Sequence, residues 1–323
     1  MNRWMIQIPR LYQIYKKNNQ IDNFQDMLNN IFVPLFEVTL DPSSHPKLAL
    51  FLEHVSGIDC VDDESRSPAP IDRHFSSRSK TPSEWDIKDN PSFKYYLFFL
   101  QSNLRVLNQL RQAKGLHTLS FRPHAGEAGE VHHLDCAFLL ADGINHGINL
   151  RKSPALLYLY YLMQIGLAMS PASNNSLFLS YEKNPFQRYF KIGMNVSLST
   201  DDPLMFHQTK EPLMEEYSIA KQLWRFTSAD LCEMARNSVV QSGFPESKKR
   251  DWLGVNHIYT QHNIDRDNVP GIRLAFRRQC LAEEWRVITD PRDMRDRDML
   301  KGFLWPGEET GSPTQRIPIF FDN

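Results

Sequence analysis

An apolar run, Leu116-His117-Thr118-Leu119-Ser120-Phe121-Arg122, breaks at Pro123 into His124-Ala125-Gly126-Glu127-Ala128-Gly129. The first half has the length and apolar content of a buried strand. The second has the small residues of a tight turn and two side chains able to do chemistry. The same pattern recurs along the chain. Apolar runs at 3–9, 55–61, 142–147, 166–171 and 194–200 accompany the one at 116–122. Five of the six finish in polar clusters: Asp62-Asp63-Glu64, His124 to Glu127, His146, Ser173-Asn174-Asn175 and Asp201-Asp202. Helical periods separate the runs. Phe24, Met27, Leu28, Ile31 and Phe32 share one face, Leu100, Leu104, Leu107 and Leu110 another, and Pro154 opens an apolar helix. Strand and helix in alternation predict parallel βα units. Reactive groups gathered at strand C-termini predict the active face of a (β/α)8 barrel.

The composition bounds the rest. With 323 residues, 41% apolar and 23% charged, the chain can bury a large core and is too apolar to be disordered. A formal net charge of -1 supplies no global field for nucleic acid or a membrane surface, and neither is expected as a partner. The densest apolar stretch, 156–169, is short for a membrane span and is interrupted by Gln164. The first residues lack the apolar core of a signal peptide. Four scattered cysteines without a Cys-x-x-Cys pair predict free thiols in a reducing compartment, with the cytosol as the default. The Ser-, Pro- and charge-rich segment 62–91 reads as a long solvated loop, and residues 289–323 as a loosely ordered tail after a barrel domain at 1–288.

Three clusters carry candidate chemistry. In His124-Ala125-Gly126-Glu127 a neutral imidazole suits a zinc ligand and the nearby carboxylate can shuttle protons; a surface loop that holds a histidine and two acids reads equally well from the tetrad alone. Adjacent Asp201 and Asp202 at a strand end repel each other unless a cation or donor holds them there. A helix N-cap followed by Pro203 accounts for Asp202 but not for Asp201. His146, between small residues at a strand end, taken alone reads as a buried and satisfied histidine. Its weight comes from lying between the other two clusters along the same face.

In this order and spacing, His124-Ala125-Gly126-Glu127, Asn145-His146-Gly147 and Ser199-Thr200-Asp201-Asp202-Pro203 resemble the adenosine/AMP deaminase family. Longer matches point to its AMP deaminase branch: Arg3-Trp4-Met5-Ile6-Gln7-Ile8-Pro9-Arg10-Leu11-Tyr12, Val61-Asp62-Asp63-Glu64-Ser65, Ser170-Pro171-Ala172-Ser173-Asn174-Asn175-Ser176-Leu177 and Thr209-Lys210-Glu211-Pro212-Leu213-Met214-Glu215-Glu216-Tyr217. The resemblance implies a metal-dependent hydrolase barrel that converts AMP and water to IMP and ammonia. It implies His124 and Asp201 as zinc ligands and Glu127 as the acid that meets and protonates the purine ring nitrogen. His146 is implied as proton acceptor from the attacking water, and Asp202, Pro203, Leu204 and Met205 as further substrate contacts. Family members are often tetramers, so a homo-oligomer is among the implied assemblies.

The pattern departs from the family in one respect. Members open their barrel with a His-x-His strand that completes the Zn2+ site, and none of the eleven histidines here forms such a pair. His132 and His133 are adjacent and follow the His124 strand. The resemblance begins at the family's third strand, so the expected barrel has about six of its eight strands, two unpaired edges and half its metal ligands. The resemblance thus implies an N-terminally truncated AMP deaminase whose own hydrolytic activity is compromised. A non-catalytic relative that serves as an interaction or regulatory subunit is the alternative.

Overall fold

The computed structural model describes residues 2–65, 79–254 and 268–289. Its elements in chain order are β1 (Trp4–Pro9), α1 (Tyr12–Lys17), α2 (Phe24–Leu40), α3 (Pro46–Leu52), β2 (Val55–Val61), α4 (Phe93–Ala113), β3 (Ser120–Phe121) and β4 (His124–Ala125). They continue with α5 (His132–Leu140), β5 (Gly143–His146), α6 (Pro154–Leu162), β6 (Gly166–Met169), α7 (Pro171–Leu177), α8 (Phe186–Ile192) and β7 (Val196–Leu198). The last helices are α9 (Pro203–Phe206), α10 (Pro212–Leu223), α11 (Ser228–Gln241), α12 (Glu246–Leu253) and α13 (Gly271–Thr289).

Every strand pairing is parallel, and the strands lie side by side in chain order as β1-β2-β3 and β4-β5-β6-β7. β3 and β4 are two parts of one path, so the six runs expected from the sequence each form a strand. The run at 116–122 is corrected to the short β3, and β4 falls beyond it at His124–Ala125, in the stretch expected to be a turn. Pro123 has no N–H to give the ladder, and the next amide, of His124, donates to the Asp59 side chain rather than to backbone (3.1 Å). The path stays continuous around the break. Arg122 N–H donates to Ile58 O (2.9 Å), and Pro123 O accepts from Asn145 N–H (3.0 Å). Among the described residues β1 and β7 each pair on one side only, and Trp4 and Met5 on β1 are 54% and 37% exposed.

The inner strand residues Ile58, Phe121, Ile144, Leu167 and Val196 are buried, as parallel strands covered on both faces require. The helical faces read from the sequence pack on them: Phe24, Met27, Leu28 and Phe32 of α2, and Leu100, Leu104 and Leu107 of α4. α6 starts at Pro154 behind a Ser153 cap whose hydroxyl accepts from Leu156 N–H. The curvature of the sheet can be judged from its side chains. In a flat sheet β4 and β7 would lie roughly 14 Å apart at the usual strand spacing. The ligand atoms of His124, on β4, and Asp201, just after β7, lie within 4.8 Å of each other and of His146. The strand C-termini therefore converge as in a barrel wall.

Two further expectations meet the structure. The described part of the 62–91 segment is not a free solvated loop. Trp85 is 1% exposed, its carbonyl accepts from Tyr12 Oη (2.9 Å), and Lys80 O accepts from Tyr95 Oη (2.9 Å). An apolar anchor within a polar composition holds that stretch onto α4. At the other end α13 continues through Thr289, and the tail expected after it, 290–323, lies outside the described residues. No helix of the described residues is long and apolar enough to cross a membrane, and Cys60, Cys136, Cys232 and Cys280 are free thiols.

Candidate functional site

The site forms where β2, β4, β5 and β7 end. His124 leaves β4 just after Pro123. Its Nδ1 lies 3.0 Å from Asp59 Oδ1, and its backbone N–H donates to the same oxygen. In the neutral ring, donation from Nδ1 leaves Nε2 free to coordinate. Burial alone would lower the pKa of His124, but the hydrogen bond and charge of Asp59 outweigh burial and hold it above its ordinary value. A carboxylate behind a histidine that orients its far nitrogen is the arrangement found around metal-bound histidines. Asp59 was not singled out from the sequence. The signal was available: an acid in the interior of the otherwise buried strand Val55–Val61, where apolar residues are expected.

His146 ends β5 and is 1% exposed. Its Nδ1 faces Glu127 Oε1 at 3.3 Å and the Asn174 amide at 3.2 Å. Its Nε2 is buried with no hydrogen-bond partner among the described residues, and it points toward Asp201 Oδ2 at 3.9 Å. Burial, with help from the charge of His124, pushes the pKa of His146 well down, so the ring is neutral. A buried, neutral imidazole nitrogen that faces a carboxylate beside a second imidazole suits a cation or a proton. Both His146 (φ 70°) and Asp201 (φ 55°) take left-handed backbone. Such conformations cost of order 1–3 kcal/mol for residues with side chains and concentrate at functional positions.

Glu127 is placed by the turn after β4. Gly126 (φ 72°) lets the chain reverse, and the buried Glu64 carboxylate accepts from the amides of Gly126 (2.8 Å) and Glu127 (3.2 Å). His133, stacked on Phe93 with ring centroids 4.2 Å apart, also meets Glu64 through Nδ1 at 2.9 Å. Burial pushes the Glu127 carboxyl up to about 8, with the charges of Asp201 and Glu64 adding to the rise against the nearby His124. On the far side, Ser173 Oγ donates to Asp201 Oδ2 (2.6 Å), and Asn174 donates to Glu127 Oε1 (3.1 Å). The sequence marked Ser173 and Asn174 as a polar cluster without giving either a role. Both are fully buried and tie α7 to the site.

The expected site residues therefore divide in two. His124, Glu127, His146 and Asp201 converge. Asp202 to Met205 form an exposed lip beside them, with Leu204 wholly exposed and Met205 69% exposed. Capping does not occupy Asp202, which precedes α9 without a side-chain cap hydrogen bond. His146, expected only as a proton acceptor, also falls within the group that could hold a metal ion. His132 and His133 open α5 and are engaged with Asp135 and Glu64, away from that group.

Gly129 gives a test of the turn. It has φ 65°, and an added Cβ would overlap the Glu64 carbonyl oxygen. Gly129→Ala is expected to lower unfolding free energy by roughly 2–5 kcal/mol, with ~1–2 from left-handed backbone and ~1–3 from overpacking. Urea denaturation checks it; a variant within about 0.5 kcal/mol of wild type would show that this contact is not tight.

The family model for AMP deaminase matches residues 1–294. The chain is 58% identical over 287 residues to an AMP deaminase of Dictyostelium discoideum, covering 88% of this chain and 36% of that protein. It is 53% identical over 289 residues to an AMP deaminase of Saccharomyces cerevisiae, covering 88% and 35%. The chain thus spans about a third of the length of these curated relatives. Among solved structures, an adenine deaminase from Arthrobacter aurescens aligns at 17% identity and TM-score 0.47, covering 77% of this chain and 58% of that one.

Proposed function

Since the chain belongs to the AMP deaminase family, we propose that it contributes the catalytic face of an enzyme that hydrolyses the 6-amino group of AMP, giving IMP and ammonia. The observation that supports this reading most directly is the convergence of His124, Glu127, His146 and Asp201 around the unpartnered Nε2 of His146.

The donor set fits a metal. An imidazole and a carboxylate are zinc-type donors, and Asp59, 3.0 Å from Nδ1, orients the far nitrogen of His124. We assign His124 and Asp201 as the protein's ligands to Zn2+. When bound, zinc lowers the pKa of a coordinated water to about 7.

The remaining chemistry belongs to this chain's side chains. Glu127, held protonated by burial, donates its proton to the purine ring nitrogen as water attacks C6. His146 accepts the proton of that water at Nε2, with its Nδ1 lying 3.3 Å from Glu127 Oε1. Asn174 fixes the carboxyl and the imidazole relative to each other. Leu204 and Met205, with Asp202 and Pro203, present an exposed surface for the substrate at the mouth of the site. Loss of ammonia balances the water consumed. The four free thiols support a reducing compartment, the cytosol.

The test is zinc content together with AMP-dependent ammonia release by the purified chain. Bound zinc with at most weak turnover is the expected result, since the sequence holds no His-x-His pair to complete the site. Zinc-loaded chain that releases no ammonia would count against catalysis by this polypeptide on its own. Failure to hold zinc would remove the metal assignment.

A further inference from the structure

Glu216 lies on α10, in the stretch Thr209 to Tyr217 that resembles the family but carries none of the assigned chemistry. It is fully buried. One of its oxygens, Oε1, accepts from Ala172 N–H (3.2 Å) and lies 3.1 Å from His207 Nε2, while Oε2 also faces the Ala172 amide (3.3 Å). His207 is the residue that ends α9 and is equally enclosed. A single carboxylate therefore grips two segments at once.

Both segments run straight into the site. The residues after Ala172 are Ser173, which donates to Asp201 Oδ2 (2.6 Å), and Asn174, which donates to Glu127 (3.1 Å) and meets His146 Nδ1 (3.2 Å). The residues before His207 are the lip Asp202 to Met205 and, ahead of it, Asp201 itself. Glu216 touches none of the reacting groups. It closes a loop of contacts that runs Glu216, Ala172, Ser173, Asp201, α9, His207 and back to Glu216.

We propose that Glu216, through His207, is a positioning residue that fixes the placement of Asp201 and Asn174 by clamping α7 to the segment that ends in α9. The proposal deepens the metal-site reading above and rests on it for one of its two readouts. The competing explanation is a buried polar pair that merely fills space. In that case two apolar residues of similar volume would serve as well.

The test compares the wild-type chain, Glu216→Gln, and the double variant Glu216→Leu/His207→Leu. Co2+ alone is the probe, titrated by its visible absorption, with amide hydrogen exchange and near-UV circular dichroism measured on the same samples. Glu216→Gln keeps one acceptor but turns an NH2 toward a donor. It is expected to weaken Co2+ binding by about 10–100-fold, the range for loss of an orienting partner behind a ligand, while the near-UV spectrum is retained. Exchange is expected to quicken at Ala172 to Asn174 and at Leu204 to Phe206 together. The double variant is expected to lose the same affinity even where it folds well.

Wild-type Co2+ affinity in either variant would overturn the proposal, as would quickened exchange confined to one of the two segments. Where Glu216→Gln does not fold, His207→Phe, which cuts only the α9 side, carries the same two readouts. Absence of Co2+ binding by the wild-type chain would sink the metal assignment, and the exchange experiment alone would then decide on the clamp.

Discussion

Glu127→Gln is expected to lower kcat for AMP deamination by about 10²–10⁴-fold, the usual contribution of a positioned general acid or base, with little change in KM. The amide keeps the volume of the side chain and can still accept the Asn174 hydrogen bond (3.1 Å), but it cannot deliver a proton. The pH profile makes the test specific. Burial pushes the Glu127 carboxyl up to about 8, so the donor form persists through neutrality and is lost as pH rises beyond that value. Wild-type kcat should fall along that limb, and the limb should be missing from the residual activity of the Gln variant.

Stability supplies a second readout that needs no turnover. Glu127 in the unfolded chain ionises near its ordinary 4.5 and in the folded protein only near 8. Between those values the folded state binds more protons, and linkage makes stability fall as pH rises. Glu127→Gln removes this slope, so its melting temperature should gain on wild type from pH 5 to pH 8. A constant difference across that range would mean the carboxyl is not held protonated. A kcat within a few-fold of wild type would mean that it is not the acid.

The second large effect falls on the metal. Asp201→Asn and His124→Ala are each expected to reduce zinc affinity by more than the roughly 10–100-fold that loss of an orienting partner such as Asp59 costs, and to take turnover with it. Asn is the informative replacement at 201. It tolerates the left-handed backbone found there (φ 55°), and it can still meet Ser173 Oγ, so folding should survive. Competition against a chromophoric chelator ranks the variants. Asp59→Asn should fall between them and wild type. If Asp201→Asn holds zinc as tightly as Asp59→Asn, the carboxylate is not a ligand.

The six strand paths were legible because buried parallel strands are nearly continuous apolar runs and each ends abruptly in polar residues. The four converging side chains were legible for the same reason, since strand ends on one face must meet. Other features had no local signature. Pro123 splits a strand whose two halves still belong to one path. Trp85 lies within Ser-, Pro- and charge-rich sequence, and its burial follows from partners that arrive from α1 and α4. Asp59, Glu64 and Glu216 act by accepting hydrogen bonds from residues 65, 62 and 44 positions away in the chain. No periodicity within a single segment can reveal contacts of that span. Nor does residue type announce the positive φ at His146 and Asp201, because neither position holds glycine.

That backbone geometry also constrains how the protein can evolve. At positions 146 and 201 a Gly or Asn would relax the main chain that His and Asp hold under strain, so drift toward greater stability runs there against retention of the metal-site chemistry. β-Branched residues are excluded from both positions sterically, whatever their polarity. A lineage released from selection for deamination would therefore be expected to lose these two side chains early, by substitutions that leave the barrel wall sounder than before.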